Sequence, residues 1–247
     1  KKGKSKKTCQ NIRGAITSFY GYAKKRRLPM EKPELLVIPK DAPVKERKIL
    51  QPEDIKKLFT IDYVTIRGKK EKCFFIYAWR FDLLNGLRRG ELCGLQNTDF
   101  DGRILHINRS VNSDNEITPG KNKNARRYMA LSKLSLQVLA EQRKMLKELG
   151  IISPWVFPDE CGDMLKPHHL YKKWAYYSKQ HGINCSLHEM RHTMISVAKA
   201  DVPEQLLKQA VGHSNSMDTF GVYGHRLEGE AARVADILDN VFNAILQ

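Results

Sequence analysis

The run Leu187-His188-Glu189-Met190-Arg191-His192-Thr193 concentrates groups that can do chemistry. Read as the start of a helix, it places positions i, i+3 and i+4 on one face, so His188, Arg191 and His192 project together. Two chemistries share that spacing. A His-Glu-x-x-His run can hold a catalytic zinc, with the glutamate as general base. A His-x-x-Arg pair can instead grip a phosphate through a neutral donor and a fixed planar cation.

Other reactive types lie far away along the chain. Arg88 and Arg89 stand in Gly86-Leu87-Arg88-Arg89-Gly90-Glu91-Leu92, at the junction of two apolar segments. An arginine there is costly unless paired. Glu91 offers an internal partner; the alternative is that one arginine faces a cleft and awaits an anion. Helical phase alone does not separate Arg88 from Arg89. Lys121 and Lys123 sit on a turn-like tip, Gly120-Lys121-Asn122-Lys123-Asn124, where lysine is ordinarily just solubilising. His213 follows a glycine, and Tyr223 lies in Gly221-Val222-Tyr223-Gly224-His225.

The chain that must position these groups has 247 residues, enough for one sizeable core or two small ones. Lys and Arg total 43 against 27 acids, a formal charge of +16. That imbalance points to a polyanion, nucleic acid before a membrane surface. No apolar run approaches the roughly 20 residues a membrane span needs. No apolar leader follows Lys1-Lys2-Gly3-Lys4. The five cysteines are scattered, odd in number and lack a Cys-x-x-Cys pair, which fits a reducing cytoplasm and disfavours a disulfide framework.

Two domains are expected, residues 1–45 and 46–247. In the first, Ile12, Ala15, Ile16, Phe19, Tyr20 and Ala23 form a helical stripe from Thr8 to Arg27, with Thr8 as N-cap. Lys4, Lys6 and Lys7 precede or open the helix, and Lys24, Lys25, Arg26 and Arg27 close it. These clusters are candidate phosphate contacts, as are Lys123 and Arg126. One amphipathic helix cannot bury its own stripe, so this reads as part of a helical domain. Pro29, Pro33, Pro39 and Pro43 mark an extended linker.

The second domain opens with a helix at Pro52. Asp62 to Lys72 reads as a polar loop, and Cys73 to Leu84 as a helix buried on most sides, stopped at Asn85-Gly86. Leu92 and Leu95 begin a short buried helix. Strands are expected over Ile104–Val111, Glu116–Pro119 and Arg126–Leu131, then helices over Leu134–Leu149, His168–His181 and from Pro203 to Gly212. Ile237/Leu238, Val241/Phe242 and Ile245/Leu246 give residues 229–247 an amphipathic rhythm that needs a groove. The fold class is mainly α with a small antiparallel three-stranded sheet (α+β).

Five of these boxes, in order, resemble those of the tyrosine recombinases, in the flavour of phage and conjugative-transposon integrases. The Gly86 to Leu92 run resembles their first arginine box, Lys121 to Arg127 their lysine hairpin and His188 to Thr193 their His-x-x-Arg box. Val211-Gly212-His213-Ser214 and Tyr223-Gly224-His225 resemble their closing boxes. The likeness runs from about Ile49 to Gly229, and the first domain resembles the second half of their core-DNA-binding domain. It implies a catalytic set of Arg88, Lys121, His188, Arg191, His213 and Tyr223. Two arginines would clamp the non-bridging oxygens of a DNA phosphodiester. Tyr223 would form a 3′-phosphotyrosyl link, and Lys121 would protonate the leaving 5′ oxygen. His188 and His213 would move protons or hold the phosphate. Neither ATP nor a metal is required. The implied partners are double-stranded recombination sites and further copies of the chain, dimer to tetramer, exchanging the C-terminal helix in trans. An excisionase or DNA-bending accessory protein is a further implied partner, in a bacterial cytoplasm at the nucleoid.

Three rivals use parts of this set. A zinc protease built on His188, Glu189 and His192 needs a third ligand, for which Glu204, Glu228 and Glu230 are available in principle. It sets Arg191 beside the metal and leaves Arg88, Tyr223 and the charge unused. An inactive DNA-binding protein leaves the complete set of six without purpose. A type IB topoisomerase shares the nucleophile but relaxes supercoils, and the basic first domain favours recombination.

Overall fold

The structure is a computed structural model that describes residues 3–31, 34, 37–44, 48–119, 126–212 and 229–247. The chain divides into two compact units, residues 1–47 and 48–247.

Unit one is built on helix α1, Lys6–Lys25. Its N-cap is Ser5, whose hydroxyl accepts from the Thr8 amide at 3.2 Å, and not Thr8 as the sequence suggests. The helix starts earlier because Ser5 and Thr8 share the cap, their hydroxyls 2.8 Å apart. Lys24 and Lys25 suit the negative end of the helix dipole, whereas Lys6 and Lys7 oppose its positive end, where no acidic residue stands. Lys4, Lys6, Lys7, Lys24, Lys25, Arg26 and Arg27 are all exposed. Much of the apolar stripe stays open, with Ile12 46% and Phe19 55% exposed and only Ala23 buried in the helix.

Unit two is organised around α3, Ile76–Asn85, after α2, Pro52–Thr60. Every α3 residue except Arg80 is buried, as the near-continuous apolar run demands. Trp79 meets Trp174 edge-on at 5.2 Å and Tyr177 at 5.1 Å. Around α3 lie α5 (Lys133–Glu148), α6 (Pro167–Gln180) and α7 (Leu187–Ala198). The short α4 (Arg89–Cys93) follows α3, starting earlier than Leu92, and α8 is Glu204–Val211. Among the described residues, no helix is long and apolar enough to cross a membrane.

Three local expectations change. Asp62–Lys72 is not a loop: β1, Tyr63–Ile66, pairs with β2, Lys69–Lys72. Arg67 and Gly68 turn it with φ of 49° and 80°, the two positive angles that a tight hairpin needs. Its polar sequence hides the pairing because α6 supplies the support. Tyr176 and Gln180 both donate to the Thr65 carbonyl at 2.8 Å. The Ile104–Val111 strand breaks after Ile107, because Arg109 folds back onto Asp99 at 2.5 Å. The antiparallel three-stranded sheet is therefore β3 (Phe100–Asp101), β4 (Ile104–Ile107) and β7 (Arg127–Ala130). The pieces β5 (Ser110–Val111) and β6 (Ile117–Thr118) form a separate ladder.

The last helix, α9 (Glu230–Leu246), buries Val234, Leu238 and Phe242 against its own domain, touching α2, α5, α7, α8 and β7. In this single chain the groove that the amphipathic rhythm calls for is therefore supplied in cis.

Candidate active site

Four segments converge on one charged cluster. Gly86 ends α3 in the left-handed region, φ 58°. Two residues later Arg88 caps α4, and its amide donates to Glu91 Oε2 at 2.8 Å. Gly90 is required beside it: a Cβ there would fall 2.3 Å from the Val111 carbonyl oxygen. The Arg88 side chain donates from Nη1 to Glu91 Oε1 at 2.7 Å and from Nη2 to the Gly212 carbonyl at 3.0 Å. The internal pairing expected of the arginine box is present, Arg88 to Glu91, and the Arg88 side chain is 42% exposed. Arg89 points elsewhere, 5.8 Å over the Tyr171 ring.

Arg191 enters from α7. It is buried, and it donates to the Gly86 carbonyl at 2.6 Å and to the Val211 carbonyl. Arg127 enters at the start of β7 and donates from Nε to the Ala210 carbonyl at 2.8 Å. Three guanidiniums therefore hold the three consecutive carbonyls 210, 211 and 212. These are groups that the end of α8 leaves without helical partners. The negative end of a helix dipole suits those cations.

The electrostatics follow from burial. It pushes the Arg191 guanidinium down to about 10, and Arg88 and Arg127 push the same way against Glu91 and Asp82. Burial works to raise the Glu91 carboxyl, but hydrogen bonds and charge from Arg127, then Arg88, hold it below the usual range. Asp82, one turn before Gly86, is lifted well above that range by burial, with Arg191 opposing.

The expected set divides. Arg88 and Arg191 come together on neighbouring carbonyls. His188 is exposed on α7, its ring 5.0 Å from that of His192, while Arg191 turns inward; the three do not project as one group. Glu189 is engaged as a helix cap, accepting from the Ser186 amide at 2.7 Å and the Lys48 amide at 3.1 Å. A zinc protease would need that carboxylate as its base. Lys121, Lys123, His213 and Tyr223 lie outside the described residues. Arg126 is exposed at the edge of β7. Sequence reasoning missed Arg127 and Asp82. For Arg127 the signal was strand alternation: it shares a face with buried Met129, whereas Arg126 and Tyr128 face outward.

A cluster of this kind can bind a phosphate diester and stabilise charge that develops on its oxygens, since planar forks match that geometry. Comparison with known proteins agrees in fold. A XerC-like tyrosine recombinase of Caldanaerobacter subterraneus subsp. tengcongensis is 24% identical over 97% of this chain and 68% of its own length. The ICEBs1 integrase of Bacillus subtilis is 24% identical over 97% of this chain and 67% of its own. The Tn1549 transposon integrase, solved in complex with transposon right end DNA, superposes with a TM-score of 0.65 at 23% identity, covering 94% of this chain and 79% of that one. A lambda integrase dimer bound to a core site gives 0.58 at 13% identity, covering 88% and 74%. Residues 48–230 match the phage integrase family, and the chain belongs to it.

Proposed function

We propose that Arg88 and Arg191 clamp the scissile phosphate of a DNA strand while Tyr223 attacks it, leaving a 3′-phosphotyrosyl link. The chain is an enzyme, a tyrosine-type site-specific recombinase, in keeping with its family. The observation that carries the assignment is the meeting of the two arginines on the carbonyls of Val211 and Gly212. In the sequence His213 directly follows Gly212, whose carbonyl Arg88 holds.

As Tyr223 gives its proton to one of the two histidines, His188 or His213, its oxygen attacks phosphorus and makes a trigonal-bipyramidal phosphorane whose added charge sits on the non-bridging oxygens. Guanidiniums held by a rigid scaffold stabilise that charge without reorganising. Lys121 gives a proton to the leaving 5′ oxygen, and His188 and His213 assist proton movement or hold the phosphate. The 5′-hydroxyl of another strand then attacks the phosphotyrosine, restoring the phenol and joining the strands. The bond energy is conserved, so the strand exchange needs no external energy source.

Double-stranded DNA is the substrate, and residues 1–45 act as part of a helical core-binding domain that lays Lys4, Lys6, Lys7 and Lys24 to Arg27 along phosphates. Lys6 and Lys7 sit where a helix disfavours cations, which a bound polyanion would reverse. Copies of the chain assemble on DNA, as the lambda integrase does in its tetramer on a Holliday junction. An excisionase or DNA-bending protein and a place at the nucleoid complete the reading. The test is covalent capture. A pool of nicked duplexes with a randomised centre, incubated with the protein, should yield an adduct on denaturing gels. Tyr223→Phe should abolish it; an adduct that survives this change assigns the nucleophile elsewhere.

A further inference from the structure

Glu91 has two oxygens and faces two guanidiniums. Arg127 takes both oxygens, Nη1 on Oε1 and Nη2 on Oε2, each at 2.9 Å. Arg88 reaches only Oε1 with its side chain, and its backbone amide takes the other oxygen. The side chains of Arg127 and Glu91 are each 3% exposed, against 42% for Arg88. The two-pronged pair is therefore the buried one, and the one-pronged pair borders solvent. Arg127 also fixes the Ala210 carbonyl in the last turn of α8, and it opens β7 just after the lysine box.

We infer that Arg127 is a positioning residue: by occupying Glu91 with both prongs and pinning the end of α8, it keeps the Arg88 guanidinium available to a phosphate. This rests on the strand-cleavage reading above. Without Arg127, Arg88 is the guanidinium that is still hydrogen-bonded to the carboxylate among the described residues. A fork-to-fork pair with Arg88 then forms, because that geometry is the stronger one. Arg88 would be drawn into the protein and its charge cancelled. A phosphate arriving at the site would meet one cation fewer, although Arg88 itself is intact.

The consequence is a specific rescue. In Arg127→Met the cleavage rate on the captured nicked duplex should fall about 100-fold, the scale of losing one preorganised donor. Affinity for the same DNA should stay within about threefold, since it is spread over many basic groups. Adding Glu91→Gln removes the competing charge, and Arg127→Met/Glu91→Gln should regain at least about tenfold in rate, a coupling that independent sites do not show. Arg127→Lys keeps the charge but not the fork and should fall between. It also serves as the comparison should Arg127→Met melt too low. A double variant no faster than the single one would reduce Arg127 to a structural strut and overturn the inference, as would a single variant at wild-type rate. Absence of any adduct with the unaltered protein would instead bring down the strand-cleavage reading itself.

Discussion

Arg191 donates to the carbonyl oxygen of Gly86 at 2.6 Å, so one side chain joins the His-x-x-Arg helix to the turn that launches the arginine box. A second bond to Val211 ties in α8. Lysine offers a point charge on a shorter fork-less stem and cannot serve both acceptors while facing a ligand. Arg191→Lys is therefore expected to lower single-turnover cleavage by about 100-fold or more, with DNA affinity changed less than about threefold. Rate measured on the captured duplex, beside a binding titration, checks this. Cleavage within about fivefold of the unaltered protein would remove Arg191 from the clamp.

Gly90 is constrained by space. A Cβ there would meet the Val111 carbonyl at 2.3 Å and the Ser110 hydroxyl at 2.5 Å, and the carbonyl belongs to a paired strand that cannot yield. Gly90→Ala should cost about 1–3 kcal/mol and displace the arginine box with it. Gly21 provides the contrast, an α1 position with nothing within 4 Å. Gly21→Ala should be neutral or stabilise by up to about 1 kcal/mol. Thermal melting of the two variants distinguishes steric crowding from mere loss of a glycine.

The elements that the sequence made legible are those with a dominant signal. The apolar run of α3, the helix-opening Pro52 and the rhythm of α9 each announce a helix whose burial agrees. The arginine and His-x-x-Arg boxes were readable by resemblance, whereas helical phase did not separate Arg88 from Arg89, and spacing alone put His188 and Arg191 on one face that the structure does not keep. What escaped depends on partners remote in sequence. The β1–β2 hairpin has an exposed, lysine-rich second strand, and its support comes from Tyr176, Gln180 and His181, more than 100 residues away in sequence. Arg109 is drawn out of its strand by Asp99, ten residues away, so the sheet takes a different third strand. Arg127 was hidden by its neighbour Arg126, because two adjacent arginines look alike until alternation assigns one to the interior. Glu189 looked like a candidate base and is a helix cap.

The C-terminal helix should carry stability as well as any role between copies. Phe242 is 1% exposed, and Asp239 accepts from the Leu134 amide at 2.8 Å, capping α5 from outside. Phe242→Ala should cost about 3–5 kcal/mol and Asp239→Ala about 1 kcal/mol. For a domain of this size each kcal/mol lowers the melting temperature by about 2–4 °C. A Phe242→Ala protein that melts with the unaltered one would mean that the helix is not held in cis in solution.

Asp82 gives the molecule a pH dependence of opposite sign to that of an ordinary acid. Its Oδ1 is buried without a hydrogen-bond partner among the described residues. Burial lifts its carboxyl well above the usual range, Arg191 only partly opposes this, and Glu91 adds to the lift. In the unfolded chain the same group loses its proton near about 3.9. Between those two values the folded form binds more protons than the unfolded one, so stability falls as pH rises. The contribution is fully present below the unfolded value and is lost as pH climbs through the folded one. Asp82→Asn keeps the shape, keeps an oxygen acceptor for the Leu87 amide and has no proton to lose. The melting temperature of the variant minus that of the unaltered protein should therefore grow from about pH 4.5 to about pH 8. Glu91, whose carboxyl is held below the usual range, loses its contribution only as pH falls, on the acid side of the window compared. A difference that shrinks with pH would show that Asp82 is a charged partner of Arg191 in the folded state, and that the cluster carries one more negative charge than its hydrogen bonds display.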